Sequence, residues 1–211
     1  RKWAYAVKKV PADRAEIIVC DGNFHGRTTT IVGFSSEPQY RDGFGPYAQG
    51  AFPHVPFGDA RALEAAIGPH TAAFLVEPVQ GEAGIVVPPD GYLAQCERIC
   101  RARNVLLIVD EVQTGLGRTG KVLAIHHEDV RPDGIILGKA LGGGLLPVSA
   151  FCAREEVMGE FRPGDHGSTF GGNPLGAAVG EAALTLLEQG PYCETARVQG
   201  EYLLAKLQRL D

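Results

Sequence analysis

Lys139 lies between an aliphatic run, Ile135-Ile136-Leu137, and a glycine cluster, Gly142-Gly143-Gly144. Asp110 closes a second run, Val105-Leu106-Leu107-Ile108-Val109, and Glu111, Val112 and Gln113 follow it. Both runs read as buried strands with a charge at the carboxyl end. An amine drawn out of water loses part of its preference for the charged form and becomes nucleophilic. A lysine and an aspartate on two such strand ends match the pair that pyridoxal phosphate needs. The amine bonds the aldehyde, and the carboxylate pairs with the ring nitrogen. Taken alone, Lys139 reads more simply as a side chain reaching from a strand end to water.

Three other constellations carry chemistry. Glu77-Pro78-Val79-Gln80-Gly81-Glu82 follows an apolar run and places two carboxylates on one compact turn; solvated caps are the plain alternative. His166-Gly167-Ser168-Thr169-Phe170-Gly171-Gly172-Asn173-Pro174 is glycine-rich, bears two hydroxyls and opens a helix. Such a loop can donate to a phosphate or simply cap the helix. Asn23-Phe24-His25-Gly26-Arg27-Thr28 offers a ring to stack, an imidazole and a guanidinium suited to a bidentate grip on a carboxylate. Two motifs are rejected. Gly115-Leu116-Gly117-Arg118-Thr119-Gly120 has the letters of a dinucleotide fingerprint, but Asp110–Thr114 intervene after the strand and no helix follows. The stretch Gly134 to Ala140 resembles a phosphate-binding P-loop but is one residue short, with Ala140 where a hydroxyl must hold magnesium.

The elements that must position these groups alternate along the chain. Strands are expected at Glu16–Cys20, Thr71–Val76, Val105–Val109, Val122–His126, Ile135–Leu137 and Val148–Ala153. Helices are expected over Gly26–Ser36, from Asp59 as cap to Ile67, from Asp90 or Gly91 to Arg103, and over Glu155–Phe161, Asn173–Glu188 and Glu194–Leu210. Arg1–Lys9 reads as the tail of an amphipathic helix, and Gly43–Gly58 as a long ordered loop. This alternation predicts an α/β fold with a mostly parallel sheet wrapped by helices. Ligands then bind outside the carboxyl ends of the strands, where Asp21, Glu77, Asp110 and Lys139 fall.

The chain has 211 residues, 45% hydrophobic and 21% charged, as ordinary globular domains do. A net charge of −5 with no basic run argues against nucleic acid, and no apolar stretch is long enough for a transmembrane helix. The five cysteines (Cys20, Cys96, Cys100, Cys152 and Cys193) form no CxxC pair, and are expected to be reduced core or half-core thiols in a cytoplasmic protein. No histidine spacing fits a metal, so none is expected.

Together the segments GNFHGRT (22–28), DGFGPYAQGAF (42–52), FLVEPVQGEAGIVVPPDGYL (74–93), LLIVDEVQTGLGRTGK (106–121), VRPDGIILGKALGGGLLPVSA (130–150) and GDHGSTFGGNPLG (164–176) resemble the class III pyridoxal phosphate aminotransferases. They span most of the chain in the family's order. The resemblance implies the large domain of an aspartate-aminotransferase-like, fold type I enzyme. Residues 1–190 would be its central part, and 191–211 a helix leading toward an absent C-terminal small domain. The family's glycine-rich turn before Arg1 would also be missing.

Carried over by resemblance, Lys139 would link the cofactor covalently and Asp110 would hold its ring nitrogen protonated. Phe24 would stack on the ring, with His25 beside it and Glu77 flanking. Gln113 would bond near the phenolic oxygen. Ser168 and Thr169 would bind the phosphate of a neighbouring subunit in a homodimer or larger homo-oligomer. Arg27 would grip 2-oxoglutarate, and Glu82 would act as the glutamate that switches between donors. The position of His25 is tryptophan in some relatives. Ala83 within Gly81-Glu82-Ala83-Gly84 and the Pro174-Leu175-Gly176 ending favour ornithine over acetylornithine as amino donor. The alternatives are another ω-amino donor, a non-catalytic fragment, and a nicotinamide-dependent dehydrogenase built on Gly115–Gly120.

Overall fold

The computed structural model describes residues 1–210. In chain order its elements are α1 (Lys2–Ala6), β1 (Glu16–Cys20), α2 (Thr29–Val32), α3 (Pro38–Arg41), β2 (His54–Val55), α4 (Ala60–Ala66), β3 (Thr71–Val76), α5 (Tyr92–Ala102), β4 (Leu106–Asp110), β5 (Gly134–Leu137), β6 (Ala150–Ala153), α6 (Glu155–Met158), α7 (Pro174–Gln189) and α8 (Tyr192–Leu207). The six strands form one sheet in the order β2-β1-β3-β4-β5-β6. All neighbours run parallel except β5 and β6, which are antiparallel.

Strand alternation sorts the sheet into two faces. Ile18 and Cys20, Phe74 and Val76, and Leu107 and Val109 point one way, into a core shared with Leu63 of α4 and Tyr92, Leu93, Cys96 and Cys100 of α5. Ala73 and Leu106 point the other way, toward Trp3 and Ala4 of α1 and Val10. Asp110 continues the register of Leu106 and Ile108, and Glu77 that of Ala73 and Leu75. Both carboxylates therefore leave the sheet on the more thinly covered face. The chain order reverses between β1 and β3, which makes the crevice there the expected ligand position.

Helix ends are fixed by side chains near and far. Asp59 accepts the N–H groups of Arg61 and Ala62 at 2.9 Å, and Asn173 accepts that of Gly176 at 2.7 Å. The start of α5 is instead capped from a distance, by Glu128 accepting from Gly91 (3.2 Å) and Ala94 (3.0 Å). Gly134 lets β5 pass Phe151, because a Cβ there would lie 2.7 Å from that ring.

Several elements differ from the sequence expectation. Val122–His126 is no strand: Ala124–His127 form a 3-10 turn, and the buried Glu111 carboxylate accepts the Ile125 N–H at 2.9 Å. That bond closes the segment back onto the end of β4 rather than adding it to the sheet edge. Helix over Gly26–Ser36 shrinks to the single turn of α2: Gly26 has a φ of 115°, outside the helical range, and the Phe34 carbonyl accepts from Asn23. The Gly43–Gly58 loop carries the two-residue strand β2. The helix expected to Phe161 stops at Met158, before Gly159. Cys152 is exposed on β6 rather than half-buried. Among the described residues no helix is long and apolar enough to cross a membrane.

Candidate active site

The turn after β1 reaches across two neighbouring strand ends. Asn23 is buried and its Nδ2 donates to the carbonyls of Cys20 (2.6 Å) and Phe34 (3.2 Å). Gly22 donates its N–H to Ser36 Oγ at 2.7 Å, and Gln80 Nε2 donates to the Asp21 carbonyl at 2.7 Å. These bonds fix the backbone from which the next two residues project. The Phe24 N–H donates to Glu77 Oε2 at 3.0 Å, past the end of β3. His25 Nδ1 lies 2.7 Å from Asp110 Oδ2, at the end of β4. The second oxygen, Asp110 Oδ1, accepts the Val112 N–H at 3.0 Å. Phe24, His25, Glu77 and Asp110 are thus joined in one network at three adjacent strand ends.

Burial raises the electrostatic stakes. The side chains of His25 and Asp110 are 2% and 8% exposed. Burial pushes the Glu77 carboxyl above its ordinary range. The Phe24 N–H and the His25 charge pull it back, and the Asp110 charge adds to the rise. Two buried atoms lack a hydrogen-bond partner here, Asn23 Oδ1 and His25 Nε2.

The remaining expected residues lie around this network. Gln113 Nε2 donates to Glu82 Oε1 at 2.9 Å, which ties the turn after β4 to the turn after β3. Gly81 permits that approach, because a Cβ on it would sit 2.7 Å from Gln113 Oε1. Arg27 is exposed and stands over the Tyr40 ring at 4.0 Å and the Phe24 ring at 5.4 Å. Lys139 and Gln113 line one cleft of about 690 Å³. A second, of about 530 Å³, also takes Lys139, with Pro147, Val148 and Ser149 on its wall.

Lys139 corrects one expectation. It does not sit desolvated on β5 but two residues beyond it, exposed, in a 3-10 turn spanning Lys139–Gly142. Its φ of 43° is left-handed, a conformation that costs a non-glycine residue roughly 1–2 kcal/mol. Gly143 (φ 57°) and Gly144 (φ 75°) absorb the rest of the turn, the latter lining both clefts. Ser168 and Thr169 are exposed on the loop before α7, and the Ser168 hydroxyl accepts the Gly171 N–H at 3.0 Å. Ser168 opens onto a further cavity of about 690 Å³ that shares Pro147, Val148 and Ser149 with the second Lys139 cleft. The structure therefore brings together Phe24, His25, Glu77 and Asp110, places Gln113, Glu82, Arg27 and Lys139 around them, and sets the hydroxyl loop apart.

Sequence reasoning missed Asn23, Gln80 and Glu111. Glu111 is fully buried, and its carboxylate accepts from Ile125 N–H and from the Thr114 hydroxyl. Its direct adjacency to Asp110 on an apolar strand was the available signal. Gly115–Gly120 lies in turns that Glu111 closes, with Gly115 donating its N–H back to the Glu111 carbonyl at 2.9 Å. It forms no strand–turn–helix unit.

The donor set fits pyridoxal phosphate. A buried carboxylate keeps unused lone pairs for a ring nitrogen, an aromatic side chain stands beside it, and a lysine and hydroxyls lie within the neighbouring clefts. The partnerless His25 Nε2 is a buried polar atom at the same place.

The solved structures first define the class. Ornithine aminotransferase from Toxoplasma gondii ME49 superposes with a TM-score of 0.97 at 47% identity over 99% of this chain and 49% of its own. Acetylornithine aminotransferase from Elizabethkingia anophelis gives 0.85 at 50% identity, over 99% of this chain and 51% of its own. The fold is that of the fold type I aminotransferases. The family follows: a model of the aminotransferase class-III family matches residues 1–211, and the chain belongs to that family. An ornithine aminotransferase from Brevibacillus brevis is 54% identical over 211 residues, covering 100% of this chain and 53% of its own. The chain spans about half the length of the curated relatives it matches.

Proposed function

We propose that the intact enzyme is a pyridoxal phosphate-dependent transaminase that moves the terminal amino group of L-ornithine to 2-oxoglutarate, giving glutamate 5-semialdehyde and glutamate. The observation that carries this reading is the network joining Phe24, His25, Glu77 and Asp110 at the carboxyl ends of β1, β3 and β4, beside the cleft of Lys139 and Gln113. The relatives named above as ornithine aminotransferases support the donor.

When bound, pyridoxal phosphate supplies an electron sink for the carbon that loses a proton. The chain's own residues do the rest. Asp110 keeps the ring nitrogen protonated, because a buried carboxylate favours a cation beside it. Phe24 would pack on the ring face, Glu77 would flank it, and Gln113 would bond near the phenolic oxygen. Lys139 would hold the cofactor covalently and, as a free amine, would move the proton at the donor's δ-carbon. Arg27 grips a carboxylate of 2-oxoglutarate. Glu82, exposed and tied to Gln113, distinguishes the donor amines.

Ser168 and Thr169 serve the cofactor phosphate of a neighbouring subunit in a homodimer. The exposure of both, and the separation of the Ser168 cavity from the Asp110 network, support that assignment. Residues 1–190 form the central part of the cofactor-binding large domain, and 191–211 lead toward a small domain. Five unpaired thiols fit a cytoplasmic setting. The likeness to an acetylornithine aminotransferase favours N-acetylornithine as the second reading of the donor.

Purified enzyme supplied separately with ornithine and with N-acetylornithine separates the two. A larger kcat/KM for ornithine, reduced selectively by Glu82→Ala, is the expected result. Preference for N-acetylornithine sinks the ornithine reading, and equal loss with both donors removes Glu82 from selection.

A further inference from the structure

We infer that Tyr40 is a positioning residue for Arg27: its ring carries the guanidinium beside Phe24 and leaves the N–H donors free for a substrate carboxylate. The inference rests on the grip of Arg27 on 2-oxoglutarate proposed above. It adds the residue that orders the arginine before the substrate arrives.

The placement begins in the backbone. Phe24 and His25 are tied to Glu77 and Asp110, and Gly26 (φ 115°) turns the chain between them and Arg27. Tyr40 is carried by α3, which Pro38 opens and where the Asp42 N–H donates to the Pro38 carbonyl at 2.9 Å. The rings of Phe24 and Tyr40 meet edge to face, with centres 5.7 Å apart and planes at 76°. Arg27 Cζ stands 4.0 Å from the centre of the Tyr40 ring and 5.4 Å from that of Phe24. The arginine therefore lies in a corner of two rings, and Tyr40 is the nearer.

A guanidinium is drawn to an aromatic face by the ring quadrupole. That contact does not consume its N–H donors. Arg27 is exposed, and none of the ion pairs among the described residues involves it. Arg41, next to Tyr40, does not compete for the ring, because its guanidinium lies over Tyr47 at 5.4 Å. An arginine without such a contact samples many rotamers, and gripping a carboxylate then costs the entropy of fixing them. Held against Tyr40, the side chain has lost part of that freedom in advance. It is also held next to Phe24, the residue assigned to the cofactor ring. Leucine at position 40 would fill much of the space but offers no aromatic face.

The test compares Tyr40→Leu and Tyr40→Phe with wild type in the intact holoenzyme, following each half-reaction separately through the cofactor absorbance. In Tyr40→Leu, kcat/KM for 2-oxoglutarate should fall about 3-fold or more, through KM, while the ornithine half-reaction stays within about 2-fold. Tyr40→Phe keeps the face and should stay near wild type in both. In an Arg27→Ala background Tyr40→Leu should add nothing, since its effect runs through the arginine. Wild-type kinetics of Tyr40→Leu toward 2-oxoglutarate overturn the inference. So does equal loss in both half-reactions, or a full further loss in the Arg27→Ala background. NMR of arginine side chains in the cofactor-free protein reads the contact without turnover. The Arg27 δ-protons should be shifted upfield by the ring in wild type and Tyr40→Phe, and should lose most of that shift in Tyr40→Leu. Unshifted Arg27 signals in wild type overturn the inference even if Tyr40→Leu does not fold. An Arg27→Ala enzyme with unchanged kinetics toward 2-oxoglutarate contradicts the proposed grip instead, and the NMR result then judges the Tyr40–Arg27 contact by itself.

Discussion

The strand-end network and the segment from Ser168 to Leu210 use the same chain in opposite ways. At the ends of β1, β3 and β4, the side chains of His25, Glu77 and Asp110 are withdrawn from water, and each makes a hydrogen bond within the chain. From Ser168 onward almost nothing is withdrawn. Helix α7 buries only Gly176 and Gly180, α8 buries no residue, and Leu175, Leu186, Leu203, Leu204 and Leu207 are exposed. The contrast teaches which parts of the site the sheet builds for itself. The groups assigned to the cofactor ring are preorganised by hydrogen bonds between strand ends. The hydroxyls assigned to the phosphate sit on an exposed loop that leads into helices with exposed leucines.

That contrast is open to attack at several points. The largest effect is expected at Asp110. Asp110→Asn keeps the size of the side chain but cannot hold a ring nitrogen protonated. Turnover of the holoenzyme should fall by several orders of magnitude, about 4 kcal/mol or more in the barrier, with the fold intact by circular dichroism. Near-normal turnover would remove Asp110 from the chemistry.

Glu111→Ala should come next, and in stability rather than in rate. It strands the buried Ile125 N–H and the Thr114 hydroxyl, at a cost of about 2–4 kcal/mol in urea unfolding. A loss under about 0.5 kcal/mol, the range of ordinary surface changes, would show that the Gly115–Ile125 segment holds itself.

Glu77 gives a pH signature. Burial raises its pKa in the folded chain above the ordinary value of 4.5. Folding then favours the protonated form, so that contribution is fully present below 4.5 and is lost as pH rises through the raised value. Glu77→Gln does not titrate, and its amide oxygen can still accept the Phe24 N–H. The urea midpoint of the variant should gain on wild type as pH rises through this window. Parallel curves would mean that Glu77 titrates as it does in the unfolded chain.

The smallest effect belongs to the exposed region. Ser168→Ala should change the urea midpoint of unliganded protein by no more than about 0.5 kcal/mol, while weakening cofactor retention in the assembled enzyme. A large loss of stability would place the loop in the core of its own chain.

The same division explains what the sequence disclosed. Asp110 and Lys139 were legible because an aliphatic strand ending in a charge is a local pattern, and β3, β4 and β5 follow such runs closely. Asp59 was legible as a cap from an equally local pattern. The cap of α5 by Glu128 was not, because its partners lie 37 and 34 residues away. Nor was the fate of Val122–His126, whose apolar run suits a strand until Glu111 claims the Ile125 N–H. His25 was readable as a site residue, but its bond to Asp110 spans 85 residues and depends on strand order. The exposure of Lys139 follows from its left-handed turn, which no local pattern announced.

The central claim is that the chemistry converges on Lys139. Borohydride reduction of the pyridoxal phosphate-loaded enzyme, followed by peptide mapping, tests it most directly. The account predicts a single reduced cofactor adduct on the peptide containing Lys139, absent from Lys139→Ala. A label on Lys121 or Lys206, or an adduct that survives Lys139→Ala, would contradict it.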